Sequence, residues 1–166
     1  MKIAIISDSH DNVKNLEKLI IWLNENKIKI LIHAGDLCAP SVLIKTLAPN
    51  FKGQIHIIFG NVGDKVLLEK AASGLANVKY YGLTGELQIE NRKIAITHLK
   101  EDAENMIKKD KYDLVIFGHS HQSEIQKINQ TQSVNPGTVG GLYNKATFAL
   151  YDTKTGNIEI KELDSL

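Results

Sequence analysis

The chain holds one cysteine, Cys38, and one arginine, Arg92, in 166 residues. A lone cysteine excludes an intrachain disulfide and makes a reducing, cytoplasmic setting the expected compartment. A lone arginine excludes a clamp of several guanidinium groups around a phosphate. Long apolar runs are absent as well. No stretch approaches the roughly 20 residues that span a bilayer, and the opening Met1–Ile6 run meets Asp8 too soon to read as a secretory leader. Nor is there an excess of one charge: 20 Lys and Arg face 19 Asp and Glu, a formal charge of +1. That balance gives no electrostatic basis for non-specific binding to nucleic acid or to an anionic membrane. Aromatic residues make up 6% of the chain, and the loops carry no cluster of them on which bases could stack. The partner class therefore has to come from a site, on what length predicts to be a single domain over 1–166.

What the chain does have is alternation. Lys2–Ile6 reads as a buried strand, and Asn12–Asn26 follows with Val13, Leu16, Leu19, Ile20 and Leu23 at helical spacing. Ile28–His33 reads as a strand, Ser41–Leu47 as a short helix after Pro40, Gln54–Phe59 as a strand and Lys65–Ser73 as a helix stopped by Gly74. Such β-α-β order implies parallel strands with helical crossovers. The second half predicts a hairpin of Leu87–Ile89 and Lys93–Thr97, a helix over Glu101–Lys109 and a strand at Leu114–Phe117. Short β-like runs follow at Glu124–Ile128, Gln132–Val134, Ala146–Tyr151 and Ile158–Lys161, expected to pair antiparallel. The fold class is α/β.

Chemistry-bearing residues sit just past the predicted strands. Asp8 and His10 follow the first, Gly35-Asp36 the second and Gly60-Asn61 the third; His98 and Gly118-His119-Ser120-His121 follow two later ones. In open α/β sheets, ligands bind outside the carboxyl ends of the strands. Asp8, His10, Asp36, Asn61, His98, His119 and His121 offer oxygen and imidazole nitrogen and no thiolate. That mixture suits Mn²⁺, Fe, Zn²⁺, Ni²⁺ or Co²⁺ and is too rich in nitrogen for Mg²⁺ or Ca²⁺. A single open catalytic metal keeps about three protein ligands, so this set is enough for two. In extended backbone Asp8 and His10 would project to the same side and reach one ion. Two divalent ions outweigh the charge of Asp8 and Asp36, leaving an electropositive site that complements a phosphate ester.

Taken in order, Asp8-Ser9-His10, Gly35-Asp36, Gly60-Asn61, His98 and Gly118-His119-Ser120-His121 resemble the motif series of the calcineurin-like metallophosphoesterases. Chain length and the late Asn135-Pro136-Gly137-Thr138 resemble the small YfcE-type phosphodiesterase branch. The resemblance implies a four-layer α/β/β/α sandwich with mixed sheets. It implies one ion on Asp8, His10, Asp36 and His121 and another on Asp36, Asn61, His98 and His119, with Asp36 bridging. Asp36, Asn61 and His98 would carry catalysis, and a metal-bridging hydroxide would attack the phosphorus of a small phosphodiester, with Mn²⁺ the foremost candidate metal. The sequence departs from the pattern in places. Val62 follows Asn61 where many relatives have a leaving-group histidine, Asp64 comes one residue later than the family's acidic residue, and Leu99-Lys100 follow His98 where Gly is usual.

The same residues bear on other functions. A metal-poor protein-interaction scaffold resembling the retromer subunit of this fold should have lost ligand positions, and all seven survive. Phosphomonoesterase or protein phosphatase activity suits the fold, but no long insertion builds a peptide groove. A metallo-β-lactamase-like site needs His-x-His-x-Asp-His, and His119-Ser120-His121 continues Gln122-Ser123. His33 and His56 lie within predicted strands and read as structural or surface residues, Cys38 as a packed small side chain, and Trp22 as core or a subunit contact. A homodimer is the assembly to look for.

Overall fold

The computed structural model describes residues 1–166, and its two sheets follow from how each strand divides its side chains. Strand β1 (Lys2–Ile6) sends Ile3 and Ile5 to one face and Ala4 and Ile6 to the other. All four are buried, so β1 is covered on both sides, as the continuous apolar run requires. The first sheet runs β11-β10-β1-β2-β3-β4, with β2 at Ile30–His33, β3 at Gln54–Ile57, β4 at Val78–Tyr80, β10 at Thr147–Asp152 and β11 at Ile158–Glu162. Strands β1 to β4 are parallel; β10 is antiparallel to both β1 and β11. The second sheet runs β5-β6-β7-β9-β8, from β5 (Gly85–Ile89), β6 (Arg92–Ile96), β7 (Leu114–Ile116), β8 (Ser123–Ile128) and β9 (Thr131–Pro136). Its inner strands β6, β7 and β9 are parallel and its edges β5 and β8 antiparallel.

The sheets meet face to face through Ile3, Ile5, Ile32, Ala149 and Tyr151 of the first and Ile94, Ile96, Leu114, Ile116 and Val134 of the second. On the outer face of the first sheet, α1 (Val13–Glu25) packs Leu16, Leu19, Ile20 and Leu23 against Ala4, Ile6, Phe148 and Leu150. Asn12 caps α1 by accepting a hydrogen bond from the Asn15 N–H. Helix α4 (Lys65–Ser73) joins that layer, and on the second sheet's outer face α5 (Lys100–Lys108) buries Ala103 and Ile107 against Ala95 and Val115. The result is the α/β/β/α sandwich with mixed sheets, four layers deep.

Several elements differ from the sequence reading. The helical stretch after Ala39 runs on to Asn50, as α2 (Pro40–Val42), a π turn over Leu43–Leu47 and α3 (Ala48–Asn50). Strand β2 starts two residues late, because the Ile28 N–H donates to Leu23 O and Lys27 takes a φ of 58° to close α1. Strand β4 was not anticipated: its three residues are too few to display a period. The C-terminal strands are antiparallel except that β9 lies parallel to β7.

Candidate metal centre

The polar residues converge where both sheets end. Strands β1, β2 and β3 of the first sheet deliver Asp8, His10, Asp36 and Asn61; β6 and β7 of the second deliver His98 and His119, with His121 just ahead of β8. Extended backbone does not aim them, contrary to expectation for Asp8 and His10. Strand β1 ends at Ile6, and Asp8 (φ 52°), His10 (41°), Asp36 (59°), His119 (70°) and His121 (58°) all occupy the left-handed region. Non-glycine residues in that region are uncommon, and strain of this kind collects at functional sites. Neighbouring glycines make room for the turns. A Cβ on Gly35 would stand 2.5 Å from His98 Nδ1, and one on Gly60 would collide with the Asp36 carboxylate.

Two groups of ligand atoms result. His10 Nε2 and His121 Nε2 lie 3.1 Å apart, and 3.9 and 3.3 Å from Asp8 Oδ1. His98 Nε2 lies 3.4 Å from Asp36 Oδ2 and 3.9 Å from Asp8 Oδ1. Asp36 Oδ2 also stands 3.9 Å from His10 Nε2, and Asp8 is the carboxylate common to both groups. His119 Nδ1 and Asn61 Oδ1 meet at 2.9 Å. Ligands about 2.0–2.2 Å from one ion stand about 3–3.6 Å from each other, close to most of these spacings.

The surrounding hydrogen bonds leave ligating atoms free. His98 Nδ1 donates to Ala34 O at 2.8 Å and His121 Nδ1 to Leu142 O at 3.1 Å, which turns each Nε2 lone pair inward. Asp36 Oδ1 accepts from the N–H groups of Asn61 and Val62, and Asp8 Oδ2 from that of His119. Asp8 Oδ1 and His98 Nε2 are buried with no hydrogen-bond partner at all. Each such orphan costs about 1–3 kcal/mol unless something binds it. A cation at each atom would satisfy it, so the residues present fit a metal. Burial pushes the Asp36 carboxyl up, but the His98 imidazole 3.4 Å away and hydrogen bonds from the Asn61 and Val62 N–H groups outweigh it and bring it to about 2. Burial pulls His98 down, and Asp36 and the Ala34 carbonyl draw it above its ordinary value.

A supporting layer was legible only through resemblance or not at all. Asn135 Nδ2 donates to Gly118 O and Ser120 Oγ, and Thr138 Oγ1 donates to Asp8 O at 2.7 Å. Asn12 and Asn15 hold the 139–140 backbone through their amides. His33, fully buried, pairs its Nε2 with Ser9 Oγ at 3.0 Å, and burial holds its pKa near 3. Cys38 Sγ lies 3.5 Å from His10 Nδ1, so it packs against a site histidine. Asp64 caps α4 through the Leu67 N–H, and Lys100 pairs with Glu124 at 2.9 Å, so neither is free for a phosphate. His56 stacks on Tyr81, and Trp22 packs edge-on against Phe148 on α1's inner side.

A two-sheet sandwich with oxygen and imidazole donors at its strand ends defines a metal-dependent hydrolase architecture. The chain belongs to the calcineurin-like phosphoesterase superfamily, whose domain model matches residues 1–156. It is 29% identical over 158 residues to phosphodiesterase MJ0936 of Methanocaldococcus jannaschii, covering 93% of this chain and 94% of that one. A solved archaeal phosphodiesterase superposes with a TM-score of 0.89 at 29% identity, over 98% of this chain and 99% of that one. Vps29 of Entamoeba histolytica, complexed with Zn²⁺, shares the fold alone: TM-score 0.68 at 18% identity, over 97% of each chain. No helix is long and apolar enough to cross a membrane.

Proposed function

We propose that the chain is a phosphodiesterase working with two divalent transition-metal ions, Mn²⁺ foremost. The observation that carries this reading is the pair of buried orphan atoms, Asp8 Oδ1 and His98 Nε2, facing each other across 3.9 Å amid further ligand atoms. One ion would be held by Asp8, His10, Asp36 and His121, the other by Asp36, Asn61, His98 and His119, with Asp36 between them. When bound, such a pair supplies Lewis acidity towards phosphoryl oxygens and lowers the pKa of water towards about 7, providing hydroxide to attack phosphorus.

The protein's own groups do the rest. Asp36 is anchored by two backbone N–H groups and stays ionised throughout the working pH range. Asn61 and His119 stand on the open side, where a phosphoryl oxygen arrives. The position after Asn61, where many relatives carry the leaving-group histidine, holds Val62, and Asp64 is committed to its cap. Loss of a general acid removes about 10²–10⁴-fold for poor leaving groups. Activated aryl diesters should therefore turn over far faster than alkyl diesters, in a reaction abolished by chelation and restored by Mn²⁺. A rate independent of leaving-group pKa contradicts the missing acid. Absence of turnover on every diester and monoester tested, with no metal retained, returns the chain to the scaffold alternative.

A further inference from the structure

Tyr143 is 88% exposed, the most exposed of the large hydrophobic side chains, and its backbone lies in the left-handed region at φ 65°. An aromatic ring left in water in an uncommon conformation calls for a reason. Its position supplies one. One face of the ring stacks on His121, centroids 6.0 Å apart and planes 28° from parallel, while the exposure leaves the opposite face open. The loop that carries it is fixed to the site: His121 Nδ1 donates to Leu142 O, Gly140 N to Asp8 O, and Asn12 and Asn15 to the 139–140 carbonyls. Half-exposed apolar residues flank the same site residues, with Val62 next to Asn61, Leu99 next to His98 and Leu142 beside His121. Nearby cations are engaged elsewhere, Lys100 with Glu124 and Lys145 with Glu162. The rim beside the metal centre thus offers a flat ring and aliphatic surface in place of charge.

We infer that Tyr143 is a stacking platform that selects phosphodiesters bearing a planar aromatic substituent, an aryl group or a nucleobase. This rests on the phosphodiesterase reading and adds its substrate class. A π-face gains dispersion and quadrupole energy from a flat partner that a puckered ring of equal size cannot match.

The test uses ligands whose carbon–phosphorus bond is not hydrolysed. Phenylphosphonate, cyclohexylphosphonate and an adenosine 5′-phosphonate are titrated calorimetrically into the Mn²⁺-loaded protein, its Tyr143→Phe variant and its Tyr143→Ala variant. The phenyl-to-cyclohexyl affinity ratio should be about tenfold in the wild type, persist in Tyr143→Phe and fall to about one in Tyr143→Ala. An adenosine ligand that follows the phenyl ligand marks a nucleobase as the occupant; one that follows the cyclohexyl ligand marks an aryl ester. A ratio unchanged by Tyr143→Ala overturns the inference while leaving the phosphodiesterase reading intact, and so does an equal loss for all three ligands, which would mean that Tyr143 only props His121. Failure of the wild type to bind any phosphonate overturns both.

Discussion

The two sides of the candidate centre are built differently. Asp8, Asp36 and His98 are 0–3% exposed, whereas Asn61 and His119 are exposed and His10 and His121 lie between. On the buried side half of the side-chain polar atoms already have partners: Asp36 Oδ1 holds two N–H groups, Asp8 Oδ2 one, and His98 Nδ1 the Ala34 carbonyl. Two buried atoms there, Asp8 Oδ1 and His98 Nε2, have no hydrogen-bond partner. The open side faces solvent. The contrast divides the site into a buried wall held by hydrogen bonds and an accessible wall whose side chains face solvent.

Removing the buried carboxylate should have the largest effect. Asp36→Asn keeps the shape but removes the charge between the two ligand groups, and turnover should fall at least about 10³-fold, a part of the 10⁶-fold or more that enzymes supply. Metal analysis should find both ions lost; wild-type activity in this variant breaks the assignment. Away from the buried side the loss should be smaller. His121→Ala leaves Asp36, Asn61, His98 and His119 in place, so one ion should remain while turnover drops by about 10²-fold. Loss of both ions from His121→Ala would erase the distinction between the walls.

The smallest effect tests burial away from the centre. His56 hydrogen-bonds Tyr81 Oη at 2.8 Å, and desolvation, aided by Lys79, lowers its pKa from 6.5 to about 4. The unfolded chain binds that proton below pH 6.5 while the folded chain refuses it until about pH 4. Stability from this residue is therefore complete above pH 6.5 and declines as the pH falls towards 4. His56→Gln should flatten the fall in Tm across that window in chelated protein; an unchanged slope contradicts the assignment.

Strand ends and ligand types were readable from sequence because both rest on local rules. Apolar runs mark strands, and Asp8, Asp36, His98 and His119 follow them within a few residues. The α/β/β/α layering itself came through family resemblance, since periodicity gave only mixed parallel and antiparallel strands. Conformation was less legible. The left-handed turns at Asp8, His10, Asp36, His119 and His121 are imposed by contacts between distant segments, such as Asp8 N–H to Gly35 O and His119 N–H to Asp8 Oδ2. The contact of Thr138 with Asp8 was legible only through resemblance and that of Tyr143 with His121 not at all, for the same reason. Each lies more than 20 residues in sequence from its partner in the site, and a turn-rich stretch such as Asn135-Pro136-Gly137 carries no period that places it.

The division into two walls depends on two ions sharing one set of side chains. Anomalous diffraction from crystals grown with Mn²⁺ locates those ions without reference to activity. Two peaks should appear, one among Asp8, His10, Asp36 and His121 and one among Asp36, Asn61, His98 and His119. A single peak, or none within reach of Asp8 and His98, would contradict the account.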